Sequence, residues 1–159
     1  MFLGQPELIA DIAVLEEQLA QLRFTSLSHE QALSIGMDIA ARAEERELPI
    51  QVSVYLGEHH IFRYACVGTN EGNDQWVARK KATVYKFHEP TFLVGQRFAA
   101  RGEDFYVETG LPEEIYAVHG GGFPLFVQDE FVGAVFVSGI PHEEDHAMLV
   151  EALSSALED

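Results

Sequence analysis

Cysteine is nearly absent. Cys66 stands alone in 159 residues, so no internal disulfide can staple the fold and nothing in it requires an oxidising compartment. Basic residues are scarce as well, ten Lys and Arg against 26 Asp and Glu, for a formal charge of −16. Nucleic acid is bound through a basic footprint, and a chain this acidic excludes it as a partner. Long apolar runs are missing too, none approaching the roughly 18 residues of a membrane span, so no membrane association is expected. The opening Met1-Phe2-Leu3-Gly4-Gln5-Pro6-Glu7 has no basic stretch, and Glu7 and Asp11 interrupt its apolar residues. It does not read as a signal peptide, and the cytoplasm is the expected compartment. Repeats, low-complexity tracts and linkers are lacking. With 47% hydrophobic residues, what remains is one soluble domain over residues 1–159 with room for a core.

Hydrophobic periodicity lays out the elements. Leu8, Ile12, Leu15, Leu19 and Leu22 form one stripe, predicting a helix over about 6–22 with Pro6 in its first turn. Ser28-His29-Glu30-Gln31 is a capping-box pattern opening a second helix, Leu33 to about Glu47, which Pro49 ends. Ile50 to Leu56 alternates as a half-buried strand, Gly57-Glu58 turns, and His60 to Val67 returns as its hairpin partner. Cys66 shares a face with Phe62 and Tyr64 and reads as a small buried apolar residue. After a loop, Asn73 or Asp74 is expected to cap a third helix running to about His88, with Trp76, Lys80, Val84 and Phe87 near one side. Thr91 starts a short helix ending at Gly102, 103–114 is mostly loop around Pro112, and Pro141 opens a last helix to Leu157.

The stretch Tyr116 to Pro141 is the organising one. It predicts two or three linked strands, bent at Gly120-Gly121-Gly122 and again at Gln128-Asp129-Glu130. Val132, Ala134 and Phe136 alternate with Gly133, Val135 and Val137 almost without a polar atom, so this strand is covered on both faces. The order of elements argues an α+β fold with an antiparallel sheet. The glycines lead into another strand rather than a helix, which excludes a nucleotide loop and leaves a bend where backbone can approach a flat ligand.

Charge is unevenly spread. Residues 79–101 carry Arg79, Lys80, Lys81, Lys86, Arg97 and Arg101 against Glu89 alone, a net +5 in an acidic chain. Such an island can hold an anionic small molecule, or it pairs with acidic helices or a neighbouring subunit. Among seven histidines, His119 stands out on an expected apolar strand with Ile115 and Ala117, directly before the glycines, either as a satisfied structural residue or as a ligand. His142-Glu143-Glu144-Asp145-His146 matches the zinc-protease pattern, but it falls in a helix's first turn and Leu149 and Ala152 stand where that pattern's glycine and third histidine belong. No metal is expected there. No catalytic triad can be read from spacing, so whether the chain is an enzyme stays open.

Gly121-Gly122-Phe123-Pro124, Val132-Gly133-Ala134-Val135, Val137-Ser138-Gly139, Glu144-Asp145-His146 and the helix Trp76…Arg79-Lys80-Lys81…Val84…Phe87 together resemble the haem-degrading-domain (HbpS/GlcG-like) family, in its branch of small standalone proteins, from about Leu15 to Leu153. The resemblance implies a profilin-like α+β fold, a central antiparallel sheet flanked by helices, and a tendency to form homo-oligomers. It also implies haem or a related tetrapyrrole as cofactor, bound and conceivably degraded. The flat ligand would then lie over Gly120, Gly121 and Gly122, with His119 as axial ligand, Trp76 on the same helix, and Arg79 or Lys80 pairing the propionates. The alternative is a non-enzymatic homo-oligomeric interaction or scaffold protein without cofactor, its basic island and acidic helices serving subunit contacts.

Overall fold

In the computed structural model, which describes residues 4–158, the chain runs α1 (Ile12–Gln21), α2 (His29–Glu45), β1 (Gln51–Leu56), β2 (His59–Ala65), α3 (Glu71–Phe87), α4 (Thr91–Ala100), α5 (Phe105–Thr109), β3 (Gly122–Val127), β4 (Glu130–Ser138) and α6 (His142–Glu158). The four strands form one antiparallel sheet in the order β2-β1-β4-β3. This is the expected α+β class with a central antiparallel sheet flanked by helices.

The double coverage of β4 follows its alternation. Val135 and Val137 pack with Val52 and Val54 of β1 against Ile35 and Ile39 of α2 and Leu149 and Leu153 of α6. Ala134 and Phe136 point the other way, onto Val77 and Val84 of α3. Chain-distant β1 and β4 are neighbours, so the two hairpins join into one sheet at its centre. Polar residues on β1 are more buried than the half-buried reading allowed: Gln51 and Ser53 are both enclosed on the α3 side. Cys66 is buried, as its pattern implied.

Helix starts follow local capping chemistry. Ser28 and Gln31 form the expected capping box, so α2 opens at His29, four residues before its first leucine. The third helix is capped earlier than expected, by Asn70, whose side chain accepts from the Gly72 amide while Asn73 reaches back to the Asn70 N–H. Asn73 is therefore inside the first turn. A short helix, α5, lies within 103–114, capped by Asp104 on the amides of Tyr106 and Val107.

The N-terminal segment departs from its stripe. Residues 6–10 are not helical, and α1 starts at Ile12 with Asp11 as its cap. Buried Gln96 accounts for this: its Oε1 accepts from the amides of Ile9 and Ala10 and its Nε2 donates to the Glu7 carbonyl. Gln5 likewise donates to the Glu103 carbonyl and accepts from the Phe105 amide. A side chain distant in sequence has taken the backbone groups that a helix would use, and Leu8 stays 49% exposed.

The third expected strand, around residues 116–119, is also absent. This segment is irregular, and its backbone groups bond to other partners. Arg79 donates to the carbonyls of Glu113 and Tyr116, the Tyr106 hydroxyl donates to Tyr116 O, and the Ala117 amide donates to Arg79 O. Ile115 consequently faces solvent at 52% exposure while Ala117 is buried, so His119 shares no strand face with them.

Candidate functional site

A cavity of about 420 Å³ opens between the first turns of α3 and α6. Asn73 and Trp76 of α3 form one side, His142 of α6 and His119 the other, and Lys80 and Asp145 close it at depth. Three of the residues expected at a site thus meet here: Trp76, Lys80 and His119. Arg79 does not, because its guanidinium is held by the two loop carbonyls and lies 4.6 Å from the Trp76 ring centroid, outside the cavity. Gly120, Gly121 and Gly122 are not in its lining either.

The glycines serve packing. A Cβ on Gly120 would strike the His142 carbonyl, and one on Gly121, which has φ +124°, would strike the Val137 carbonyl. Their backbone closes against α6 and β4: the Gly120 amide donates to His142 Nδ1 at 3.1 Å, the Val137 amide to Gly121 O at 2.8 Å, and the Gly122 amide to Thr91 Oγ1 at 3.0 Å. The bare backbone meets protein instead of leaving a floor for a flat ligand.

The aromatic wall is ordered edge to face. Trp76 and His119 have ring centroids 5.0 Å apart, and His119 and His142 5.2 Å apart, each crossing at 72°. Burial holds His119 down to about 4, with the nearby His142, Lys80 and Arg79 acting in the same direction. Its imidazole is neutral at physiological pH, and its Nδ1 is buried without a hydrogen-bond partner. Burial lowers His142 too, against the pull of Glu143. Because His142 Nδ1 accepts the Gly120 amide proton, the proton of the neutral ring sits on Nε2.

At depth, Lys80 Nζ donates to Val137 O at 2.9 Å and to Asp145 Oδ2 at 3.3 Å. Asp145 Oδ1 accepts from the Ile140 amide, fixing the turn into α6. Burial lowers the Lys80 ammonium, Asp145 opposing it, and pushes Asp145 up to about 6, Lys80 opposing in turn. Most of the rest of the basic island is also paired within the chain, Lys81 with Glu58, Arg97 with Glu16 and Glu89, and Arg101 with Glu103, while Lys86 is exposed. Acidic side chains thus absorb Lys80, Lys81, Arg97 and Arg101.

The residues of the zinc-protease-like pattern are divided among different tasks. His146 is buried, its Nε2 2.8 Å from Gln18 Oε1 of α1, while His142 binds the Gly120 amide and Asp145 binds Lys80. The pattern was visible in the sequence, but the contribution of His142 and Asp145 to a pocket beside Trp76 was not. Its one signal was a cluster of acids in the first turn of α6 opposite a lysine-bearing helix.

The chain matches the family model described as haem degrading protein HbpS-like over residues 27–154. It is 39% identical over 143 residues to a UPF0303 protein of Streptomyces coelicolor, covering 89% of this chain and 90% of that one. Among solved structures, that of the Ybr137w protein superposes with a TM-score of 0.87 at 24% identity, over 94% of this chain and 90% of the other. A PduOC:haem complex superposes with a TM-score of 0.67 at 19% identity, over 82% and 94%. These likenesses agree with the motifs at Gly121–Pro124 and Val132–Gly139 and with the sheet that carries them, and the chain belongs to the HbpS-like family.

Proposed function

We propose that the chain binds haem or a related tetrapyrrole in the α3–α6 cavity, with His119 as the group that meets the iron. The observation that carries this reading is the neutral His119 imidazole, with its unpartnered Nδ1, in the cavity wall beside Trp76. Bound iron would supply redox chemistry. The chain's own part is to hold His119 neutral, to set Trp76 against it edge to face, and to exclude water behind it with the Lys80–Asp145 pair. The fit is to the iron rather than to the propionates: Arg79 and Lys80 are engaged by backbone carbonyls and by Asp145, so neither is free to pair a propionate. Membership of the HbpS-like family and the fold shared with the PduOC:haem complex support the reading.

We further propose that the protein works as a cytoplasmic homo-oligomer. Its single cysteine gives it no disulfide to lose in a reducing compartment, and among the described residues no helix is long and apolar enough to cross a membrane. The exposed Leu8, Ile9 and Val14 near α1 offer apolar surface for a subunit contact. The scaffold alternative keeps that contact and dispenses with the ligand.

A haem titration followed by absorbance separates the two. A saturable shift at one haem per chain, lost in His119→Ala, is expected. An unsaturable response, or a spectrum unchanged by the substitution, would overturn the assignment.

A further inference from the structure

Lys80 is one of only three lysines in the chain, with Lys81 and Lys86, and the other two differ from it in kind. Lys81 is in an ion pair with Glu58 and Lys86 is exposed. Lys80 lines the cavity yet is almost wholly out of water, with its ammonium on Val137 O and Asp145 Oδ2. A buried ion pair is a poor stabiliser compared with apolar side chains of similar volume, and the sheet already has an apolar cluster on each face. The pair is an expensive way to fill this space, but a suitable way to keep a nucleophilic amine and a proton acceptor side by side at the end of a cavity.

We propose that Lys80 is a carbonyl-capturing amine, forming an imine with a small aldehyde or ketone admitted to the α3–α6 cavity, with Asp145 as its proton carrier. The cavity lies at the lower end of the roughly 300–1,000 Å³ usual for small-molecule sites, with room for a small aldehyde or ketone. The step balances without a further reactant. Lys80 Nζ gives one proton to Asp145, and the freed lone pair forms an N–C bond as the carbonyl π bond opens onto oxygen. One of the two protons left on the attacking nitrogen passes to that oxygen, giving a neutral carbinolamine. Asp145 returns its proton to the hydroxyl, the C–O bond breaks, water leaves, and an iminium remains on Lys80 beside an ionised Asp145. Burial, which lowers the lysine and raises the carboxyl, brings the two groups closer in proton affinity and eases the first transfer. This inference does not rest on haem binding. It needs only the cavity, for which a tetrapyrrole and a small carbonyl compound would compete.

The test is reductive trapping on the folded full-length chain, with glyoxylate and separately propionaldehyde, in cyanoborohydride, followed by peptide mass mapping whose fragment spectra separate Lys80 from Lys81. Saturable modification of Lys80 is expected, at least about ten-fold faster than Lys81 or Lys86, with the preference lost when the chain is unfolded in urea. Lys81 or Lys86 reacting as fast as Lys80, or no adduct on Lys80 with either probe, would overturn the proposal. Because the measurement is made on the unsubstituted protein, it does not depend on a variant that folds. It also reads Lys80 rather than His119, so its failure is distinct from failure of the haem titration.

Discussion

Lys80 Nζ and Asp145 Oδ2 lie 3.3 Å apart with both side chains 3% exposed, so one ion pair joins the middle of α3 to the first turn of α6 beneath the cavity. Removing one member leaves the other charged or forced to neutralise in a dry site. Lys80→Met should destabilise by about 3–5 kcal/mol, and the double variant Lys80→Met/Asp145→Leu should recover most of that loss. Urea unfolding of both variants measures it. A double variant no more stable than the single one would show that the uncompensated charge is not the cause.

The buried His146 makes stability depend on acidity. Its imidazole is held down to about 4, chiefly by burial and further by His142. An unfolded chain takes that proton near pH 6.5, so between about 6.5 and 4 the unfolded state binds more protons and the fold weakens as pH falls. His119 acts in the same direction. Asp145, raised to about 6, opposes them over most of the window, from about pH 6 downward, since the folded state then holds the extra proton. His146→Gln, which removes the titrating ring, should reduce the stability lost between pH 7 and 5 by about 2 kcal/mol. Equal losses in variant and parent would exclude His146 as the source.

Gly121 and Gly57 both have positive φ, +124° and +57°, but only Gly121 faces a backbone carbonyl where a Cβ would sit. Gly57→Ala should cost about 1 kcal/mol, the conformational penalty alone. Gly121→Ala should cost more, at least about 2 kcal/mol, because the clash with Val137 O forces β3 and β4 apart at the start of their pairing. Thermal midpoints of the two variants decide it, and equal shifts would mean that close approach is not what Gly121 provides.

Arg79 holds the irregular segment that carries His119 through the carbonyls of Glu113 and Tyr116. Arg79→Met keeps the aliphatic stem against Trp76 and removes both bonds. Faster amide exchange at Ala117 to His119 is expected, together with weaker haem binding, although Arg79 lies outside the cavity. Unchanged exchange in that segment would assign Arg79 to the surface alone.

Much of the fold was legible because its causes are local. The alternation 132–137 announced a strand covered on both faces, and β4 lies between α3 and the α2–α6 layer. Ser28 and Gln31 marked the start of α2 because a capping box needs only four consecutive residues. The errors arose where distant polar groups captured the backbone. Gln96 drew out residues 6–10 that the apolar stripe placed in a helix, and Arg79, through the carbonyls of Glu113 and Tyr116, holds the head of the 116–119 segment expected as a strand. The site was legible only in part. Trp76 and Lys80 share a helix face by spacing alone, but no periodicity shows that Arg79, between them in sequence, points outward.

By itself the sequence determined an acidic α+β chain of the HbpS-like family, with the capping box of α2, its hairpins and the strand at its centre. Composition, periodicity and short motifs act within a few residues and need no knowledge of what lies across the sheet. Only the tertiary structure decided which charges are spent on each other and which polar groups are left facing a cavity. Lys80 meets Asp145 across 65 positions of chain, and Gly120 meets His142 across 22. Burial, which sets the protonation of these groups, exists only once the layers have closed over them.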